Sequence, residues 1–328
     1  MKRLVEALHR RPVDRTPVWI MRQAGRYLPE YRDLRSRHSF QEAVANPTVA
    51  AEITLQPIRR FGMDGAVIFA DIMTPLEAMG VDMTFDPGPR LERHTLRQVI
   101  ELPALDPARV DFIAETIRRV REEVDRDVAV IGFAGAPTTL LAYLVEGGGS
   151  KEFMHLRAAV AADPDAARAA LDSLARAMHA YLSLQFEAGA DVVQLFDTWA
   201  GLFDRATYSD LCLPAASASL AGLAGPTIYF APGAGHTLDL QPAIGANGYG
   251  VDWRIPLDQA WDRLGEVTIQ GNLDPAVLRT NPETIKAATS EVLAAAGGRP
   301  GHIMNLGHGI DRHTPVDNVA AFVEAVRS

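Results

Sequence analysis

Arginine is concentrated near the start of the sequence, where four arginines occur within fourteen residues: Arg22, Arg26, Arg32 and Arg35. Gly25 and Pro29 interrupt this group, which is typical of a loop. A guanidinium binds both oxygens of a carboxylate through parallel hydrogen bonds. We therefore expect a loop that binds an anion; the alternative is a solvated basic loop.

The elements that must position this loop are short apolar, β-branched runs with helical stretches between them, typical of parallel strands joined by crossover helices. Eight strands are predicted, at residues 17–21, 65–70, 127–133, 191–196, 227–231, 248–253, 267–271 and 302–306. Because eight strands close a barrel, we expect an α/β fold with a single (β/α)8 barrel domain over residues 1–328. A doubly wound open sheet is the alternative, but no Gly-x-Gly-x-x-Gly turn follows an early strand.

Helices are predicted at residues 42–60, 107–125, 164–188 and 315–326, with less regular patterns at 207–223 and 239–246. Four cap-plus-proline pairs mark helix starts: Asp106-Pro107, Asp163-Pro164, Asn281-Pro282 and Thr314-Pro315. Residues 71–106 predict an elaborated loop after the second strand, with a short hairpin near Asp86-Pro87-Gly88-Pro89.

The loops after the strands of such a barrel meet at one face. The side chains that follow the predicted strands then form one set: Arg22, Arg26, Asp71, residues 135–137, 197–199, 232–233, Trp253, Arg254, Asn272 and His308. This set predicts a polar ring with arginine on one side.

Composition restricts the ligand. A net charge of −9 and a pI of about 5.5 disfavour nucleic acid and anionic membranes as partners. The one cysteine, Cys212, excludes an internal disulfide framework and disfavours a thiolate-rich zinc site. No signal sequence or apolar stretch of about 20 residues is found. We expect a cytoplasmic protein that captures its anion locally.

Two motifs carry a family resemblance: PVWIMRQAGRYLPE at residues 17–30, and GFAGAPTT at 132–139 running to EGGGS at 146–150. These residues, with 68–72, 194–197, 270–275 and 305–309, resemble the uroporphyrinogen decarboxylase family over nearly the whole chain. The resemblance implies a (β/α)8 barrel that converts uroporphyrinogen III to coproporphyrinogen III in haem and related tetrapyrrole synthesis. It also implies a homodimer that needs no cofactor and no metal.

The implied chemistry needs an electron sink, because loss of CO2 from an acetate side chain leaves a carbanion beside a pyrrole. Protonation of the ring carbon next to nitrogen gives an iminium cation that accepts this electron pair. The protein must then hold an octacarboxylate, stabilise a ring cation and deliver protons in a water-poor cavity.

The resemblance assigns Arg22 and Arg26 to the substrate carboxylates, with Arg35 in support; structural ion pairs are the alternative. It implies that Asp71 accepts hydrogen bonds from the pyrrole N–H groups and counters the iminium charge. The alternative for Asp71 is ordering a neighbouring arginine. Three candidates for the ring-proton donor stay open: Arg22, Asp71 and a bound water.

Tyr143 and His308 match the substrate-contacting tyrosine and histidine of the family, and His308 could also shuttle a proton. With Arg22 and Asp71 they form the expected catalytic set. Thr198 matches a substrate-contacting hydroxyl residue, and Phe196 would form a wall for the macrocycle. For all four, a packing role in the core is the alternative.

Two departures concern the rim: Thr138 replaces an aromatic residue of some relatives, and Trp199 replaces a histidine. Two other functions were weighed. A zinc-dependent methyltransferase of the same barrel superfamily needs a His-x-Cys pair where residues 230–233 read FAPG. A non-catalytic tetrapyrrole-binding protein would keep the arginines and lose Asp71.

Overall fold

The computed structural model describes residues 1–85 and 88–328. Nine strands lie within these residues: β1 (Gly65–Val67), β2 (Met83–Phe85), β3 (Pro89–Leu91), β4 (Ala129–Gly135), β5 (Val192–Phe196), β6 (Thr227–Phe230), β7 (Gly248–Gly250), β8 (Thr268–Gln270) and β9 (His302–Ile303). Of the helices, the first seven are α1 (Arg3–Leu8), α2 (Pro29–Arg37), α3 (Phe40–Ala45), α4 (Pro47–Phe61), α5 (Thr74–Ala78), α6 (Leu96–Ile100) and α7 (Asp111–Glu123). They are followed by α8 (Pro137–Glu146), α9 (Met154–Ala162), α10 (Pro164–Glu187), α11 (Arg205–Thr207), α12 (Leu213–Leu220), α13 (Leu257–Leu264), α14 (Pro282–Ala296) and α15 (Val316–Arg327).

A curled parallel sheet of seven strands forms the centre of the fold, in the order β1-β4-β5-β6-β7-β8-β9. Helices connect the strands, and nearly all residues of these strands are buried, as expected for parallel strands covered on both faces. Because the strands are parallel, the loops that follow them gather at one edge. The predicted α/β class with parallel strands is thus confirmed, as a curled sheet of seven strands.

Residues 17–21, the first predicted strand, do not form a strand. Within residues 17–21, only Val18 forms a β-bridge, a parallel one to Met304 directly after β9. The Val18 carbonyl also accepts the Asp64 N–H at 2.8 Å, directly before β1. This segment therefore lies between the two edges of the seven-stranded sheet without extending a ladder to either.

Side chains explain why no ladder forms there. The carboxylate of Asp64 accepts the Val18 N–H at 2.9 Å, and Oε1 of Gln23 accepts the Ile20 N–H at 3.1 Å. Since these two backbone donors bond to side chains, they are not available to a neighbouring strand, whereas the Trp19 N–H donates to the Met304 carbonyl in the single bridge. The apolar pattern of residues 17–21 predicts burial correctly and strand pairing incorrectly.

Other elements differ at their ends. The helix predicted at 42–60 is divided into α3 and α4 at Asn46, whose side chain caps α4. Asp106, Asp163 and Asn281 cap their helical segments as predicted. Thr314 makes no cap, because α15 begins one residue later than expected, with Pro315 itself at the N-cap.

The irregular helix predictions are partly correct. Residues 207–223 contain the end of α11, a π-helical turn at Tyr208–Cys212 and α12. Residues 239–246 overlap a 3-10 helix at Gly235–Ile244. Residues 107–110 are likewise a 3-10 turn that leads into α7.

The elaborated loop after β1 contains the predicted hairpin, formed by antiparallel β2 and β3. Asp86 and Pro87, at its predicted turn, lie outside the described residues. The hairpin packs on the glycine turn after α8, where Arg90 bridges Gly148. Gly148 has a φ of 145°, and a Cβ there would lie 2.8 Å from the Pro89 carbonyl oxygen, so this contact requires glycine.

Large apolar side chains pack along the inside of the curled sheet, and α1 packs beneath them through Leu4 and Leu8. Buried polar groups cross this interior in a connected row. The indole N–H of Trp19 donates to Gln270 at 2.9 Å, and Gln270 donates to Gln194 at 3.0 Å. Because each donor finds an acceptor, the row costs little desolvation energy and holds β5, β8 and the 17–21 segment together.

Candidate functional site

Arg22 is an exposed side chain on the loop that follows residues 17–21. Its φ of 63° is unusual for a residue with a Cβ, so the surrounding structure must hold it. Two contacts with the loop after β9 do this. The Ile310 N–H donates to the Met21 carbonyl at 3.0 Å, and a Cβ on Gly309 would lie 2.5 Å from Cδ of Arg22. The stem of Arg22 therefore packs on bare backbone.

Asp71 follows β1, and its carboxylate accepts the Met73 N–H at 2.8 Å. Burial raises the pKa of Asp71 to about 6, and the nearby Glu77 carboxylate acts in the same direction. The Met73 N–H and the Arg22 guanidinium act in the opposite direction. Asp71 is thus a carboxyl group that titrates close to neutral pH and lies within electrostatic reach of Arg22.

Tyr143 projects from α8 into the same group. Burial raises the pKa of its hydroxyl, and the negative charge of Asp71 raises it further. The Trp199 indole and the Arg22 guanidinium lower the same pKa. The Trp199 ring lies edge-on to Tyr143, with 6.2 Å between ring centroids. Trp199, the departure noted at the rim, is thus a neighbour of Tyr143.

His308 follows β9. Burial lowers the pKa of its imidazole, and the guanidinium groups of Arg22 and Arg254 lower it further. The ring stands edge-on to Trp253 at 6.3 Å. The imidazole is therefore neutral at pH 7, when it can donate one hydrogen bond and accept another.

Arg22, Asp71, Tyr143 and His308 therefore form one cluster, in which Arg22 acts electrostatically on the other three. The structure brings together the four residues that the sequence suggested for catalysis. These four residues lie in segments that are far apart in the sequence. They come together because parallel strands end on the same side of the sheet.

The other two predicted arginines differ from Arg22. Arg26 is exposed, and its guanidinium forms no ion pair with any residue of the described ranges. Arg35 donates to the His38 carbonyl at the end of its own helix, and its guanidinium lies 5.7 Å from the Phe40 ring centroid. These contacts are local, so a supporting role of Arg35 in substrate binding stays a prediction.

Phe196 ends β5 and stands edge-on to two other rings, Phe133 at 5.6 Å and Phe230 at 6.2 Å between centroids. It is half-buried and covers the top of the apolar interior. Thr198, two residues on, is also half-buried. Both positions suit the predicted contacts to a flat apolar ring, which stay predictions.

Sequence reasoning assigned no role to Asp197, although it placed this residue in the polar ring. Asp197 is fully buried and accepts hydrogen bonds from Thr139 Oγ1 and the Tyr229 hydroxyl, both at 2.9 Å. Burial raises its pKa to about 6, against the effect of these two donors. The signal in the sequence is an aspartate that directly ends an apolar strand.

Metal ligands are not grouped in the described ranges: no three His, Cys, Asp or Glu side chains lie close enough there to hold an ion. Cys212 is buried, and burial raises the pKa of its thiol far above neutrality. It is therefore not a reactive thiolate. None of the described helices is both long and apolar enough to cross a bilayer.

The fold defines a parallel α/β protein, and the loops that follow its strands bring the exposed Arg22 guanidinium within electrostatic reach of one partly buried carboxylate, that of Asp71. Comparison with known proteins names the group to which it belongs. Residues 1–328 match the family model described as "Uroporphyrinogen decarboxylase (URO-D)". The chain belongs to this family, which confirms the resemblance drawn from the motifs.

Named relatives agree with this family. A uroporphyrinogen decarboxylase from Chromohalobacter salexigens is 43% identical over 339 residues, covering 99% of this chain and 96% of that protein. Another from Coxiella burnetii is 44% identical over 342 residues, covering 99% and 94%. A third, from Chloroflexus aggregans, is 44% identical over 339 residues, covering 99% and 95%.

Solved structures agree on the fold. A methyltransferase from Methanosarcina mazei is similar with a TM-score of 0.83 at 23% identity, covering 99% of this chain and 97% of that one. A putative vitamin-B12-independent methionine synthase from Listeria monocytogenes has a TM-score of 0.57 at 14% identity, covering 95% of each chain. Identities this low show a shared fold and nothing about the reaction.

Proposed function

We propose that this protein decarboxylates the four acetate side chains of uroporphyrinogen III to give coproporphyrinogen III. The observation that carries the proposal is that Asp71, which follows β1, lies within electrostatic reach of the exposed Arg22 guanidinium. An anion-binding cleft has no use for a carboxylate unless its ligand also presents hydrogen-bond donors or develops positive charge. A cyclic tetrapyrrole does both, because its carboxylates lie at the periphery and its N–H groups point inward.

In the proposed mechanism, the exposed guanidinium groups of Arg22 and Arg26 bind peripheral carboxylates. Asp71 accepts hydrogen bonds from the pyrrole N–H groups. A pKa of about 6 leaves Asp71 mostly ionised at pH 7, so that it can stabilise the iminium cation formed by ring protonation. When CO2 leaves, the C–C bonding pair neutralises this cation and forms an exocyclic C=C bond. A proton added to that exocyclic carbon completes the methyl group, and loss of the proton first added to the ring restores the neutral pyrrole.

Tyr143 and His308 orient the substrate in this scheme, since their hydroxyl and neutral imidazole can both donate to a carboxylate. Phe196 and the aromatic cluster beneath it provide an apolar floor that limits access of water. Arg22, Asp71 and a bound water are the three candidates for donating the ring proton.

Anaerobic incubation with uroporphyrinogen III tests the proposal. We expect products with seven to four carboxylates from the native protein and none from Asp71→Asn. Replacement of Arg26 by Lys keeps the charge and removes the bidentate fork, so KM should rise. Unchanged octacarboxylate that is nevertheless bound would instead indicate a tetrapyrrole-binding protein.

The zinc-dependent methyltransferase is not favoured. Its thiol-activating site would need a histidine and a cysteine at residues 230–233, which read FAPG, and Cys212, a buried thiol, lies outside this range in the sequence. Stoichiometric zinc in the purified protein would revive it.

Broader features of fold, location and assembly belong to the same proposal. The 17–21 segment, although it forms no strand, closes the seven-stranded sheet into a (β/α)8-type barrel, supported by the Val18–Met304 bridge and the Asp64–Val18 hydrogen bond. The protein is a cytoplasmic homodimer that needs no cofactor, as the resemblance implies. Light scattering of the purified protein tests the dimer directly.

A further inference from the structure

Arg254 carries a positive charge at the edge of the cleft, and no role has been assigned to it so far. It lies four residues after β7, and 56% of its side chain is exposed. Because β7 is parallel to its neighbours, Arg254 lies at the carboxyl ends of the strands, on the same side of the sheet as Asp71 and His308.

Three contacts fix the position of Arg254. Its guanidinium lies over the Trp253 ring, 4.0 Å from the ring centroid, and 3.2 Å from the Asp252 carboxylate. Its backbone N–H donates to Asp252 at 2.8 Å. Asp252 is itself buried and accepts the Gly233 N–H at 2.5 Å. The guanidinium is thus held on a rigid aromatic and carboxylate support, with its outer donors free to meet a ligand.

A continuous series of contacts connects Arg254 with Arg22. The ring of Trp253, which supports Arg254, stands edge-on to His308. The next residue, Gly309, packs on the stem of Arg22. His308 is therefore within electrostatic reach of both guanidinium groups, and both of them lower the pKa of its imidazole.

We propose that Arg254 is a binding residue for a peripheral carboxylate of the substrate, at a point separate from Arg22 and adjoining Trp253 and His308. This inference rests on the proposed function. An octacarboxylate presents anions around its whole periphery, so cations on one side of the cleft alone would leave part of that charge unpaired. Arg254 provides a second point of attachment, and it discriminates among substrates by their number of carboxylates.

The chain offers a matched control. Arg299 lies over the Trp261 ring at 5.5 Å and is 3.2 Å from the Asp262 carboxylate, with 41% of its side chain exposed. It precedes β9, so it lies at the opposite edge of the sheet from the cleft. Arg299→Gln therefore removes the same kind of contact without touching the proposed site.

The experiment compares Arg254→Gln, Arg254→Lys and Arg299→Gln with the native protein, using the octacarboxylate and the pentacarboxylate intermediate as substrates. Loss of one exposed cation–carboxylate contact should raise KM for the octacarboxylate about two- to fivefold in Arg254→Gln, with kcat nearly unchanged. The effect should be smaller for the pentacarboxylate and partly restored in Arg254→Lys. Arg299→Gln should behave as the native protein.

Equal KM values for Arg254→Gln and the native protein would overturn the inference, as would equal effects of the two glutamine variants. A direct binding titration with oxidised uroporphyrin, followed by fluorescence, tests Arg254 without turnover. If the native protein fails to decarboxylate yet Arg254→Gln weakens this binding, the proposed function fails and the carboxylate site stands. If uroporphyrin binds equally well to the native protein and to Arg254→Gln, the proposed carboxylate site is wrong.

Discussion

Thr139 donates a hydrogen bond from Oγ1 to Oδ1 of Asp197 at 2.9 Å, across a contact that excludes solvent. The same Oγ1 accepts the backbone N–H of Trp199 at 3.2 Å. One hydroxyl thus joins α8, which carries Tyr143, to the loop after β5. Since the Trp199 ring borders Tyr143, this hydroxyl positions one wall of the cleft.

Replacement of Thr139 by Val should therefore lower activity, although neither Thr139 nor Asp197 is a proposed substrate contact. The change leaves Asp197 with one hydrogen-bond donor fewer and leaves the backbone N–H of Trp199 without this acceptor. We therefore expect a loss of about 1–3 kcal/mol in the free energy of unfolding and about a tenfold fall in kcat/KM. Steady-state kinetics and thermal unfolding of the same preparation measure both.

Two variants distinguish positioning from general destabilisation. Thr139→Ser keeps the hydroxyl and should restore most of the activity. Thr289→Val removes a buried hydroxyl on α14 that has no hydrogen-bond partner in the described ranges, so it should leave kcat/KM unchanged. If Thr139→Val and Thr289→Val gave the same kinetics, Thr139 would have no positioning role.

The pH dependence should report Asp71. Because the proposed active form is the carboxylate, kcat/KM should fall as the pH decreases through about 6, the pKa to which burial raises this group. Glu77→Gln removes a negative charge that raises this pKa, so the acidic limb should move to lower pH. The control is Glu92→Gln, an exposed carboxylate on the same loop that does not affect the pKa of Asp71.

The profile also separates two roles of Asp71. A fall in activity as the pH increases through about 6 would mean that the protonated carboxyl is the active form. Asp71 would then be the donor of the ring proton, and its assignment as a resting counter-charge would be wrong.

Stability should change in the opposite sense to activity in Asp71→Asn. A carboxyl whose folded-state pKa is raised contributes stability that is present below pH 4 and is lost as the pH rises through about 6. The neutral amide avoids this loss, so Asp71→Asn should be more stable than the native protein at pH 8, by about 1–3 kcal/mol. The gain should shrink toward pH 4. Urea unfolding at the two pH values tests this, and an equal gain at both would contradict an ionisation effect.

Much of the fold follows from the sequence because buried parallel strands are locally encoded as apolar runs. Their ends are less well encoded: residues 68–70 stay apolar and buried or half-buried after β1 has ended. The strand predicted at 17–21 fails for another reason, since the N–H groups of Val18 and Ile20 bond to the side chains of Asp64 and Gln23. A partner that lies 46 residues away cannot be inferred from a local pattern.

The site shows the same division. Arg22, Asp71 and His308 could be proposed because each directly follows a strand or strand-like run, where function collects in such folds. The contact between Thr139 and Asp197 joins residues 58 positions apart, and a threonine within an apolar helix gives no sign of it. Arg254 was visible as a charge after a strand, but its support by Trp253 and Asp252 depends on side-chain packing.

Gly309 should be essential for placing Arg22, since a Cβ there would lie 2.5 Å from Cδ of Arg22. The guanidinium stem would have to move, so Gly309→Ala should raise KM for the octacarboxylate at least about tenfold, with little change in stability because the Arg22 side chain is exposed. Gly149→Ala is the matched control, because a Cβ at Gly149 meets no atom of the described residues within 4 Å and its φ is not positive. Gly309→Ala with a native KM would show that Arg22 does not need this backing, and an equal rise in Gly149→Ala would trace the effect to glycine replacement in general.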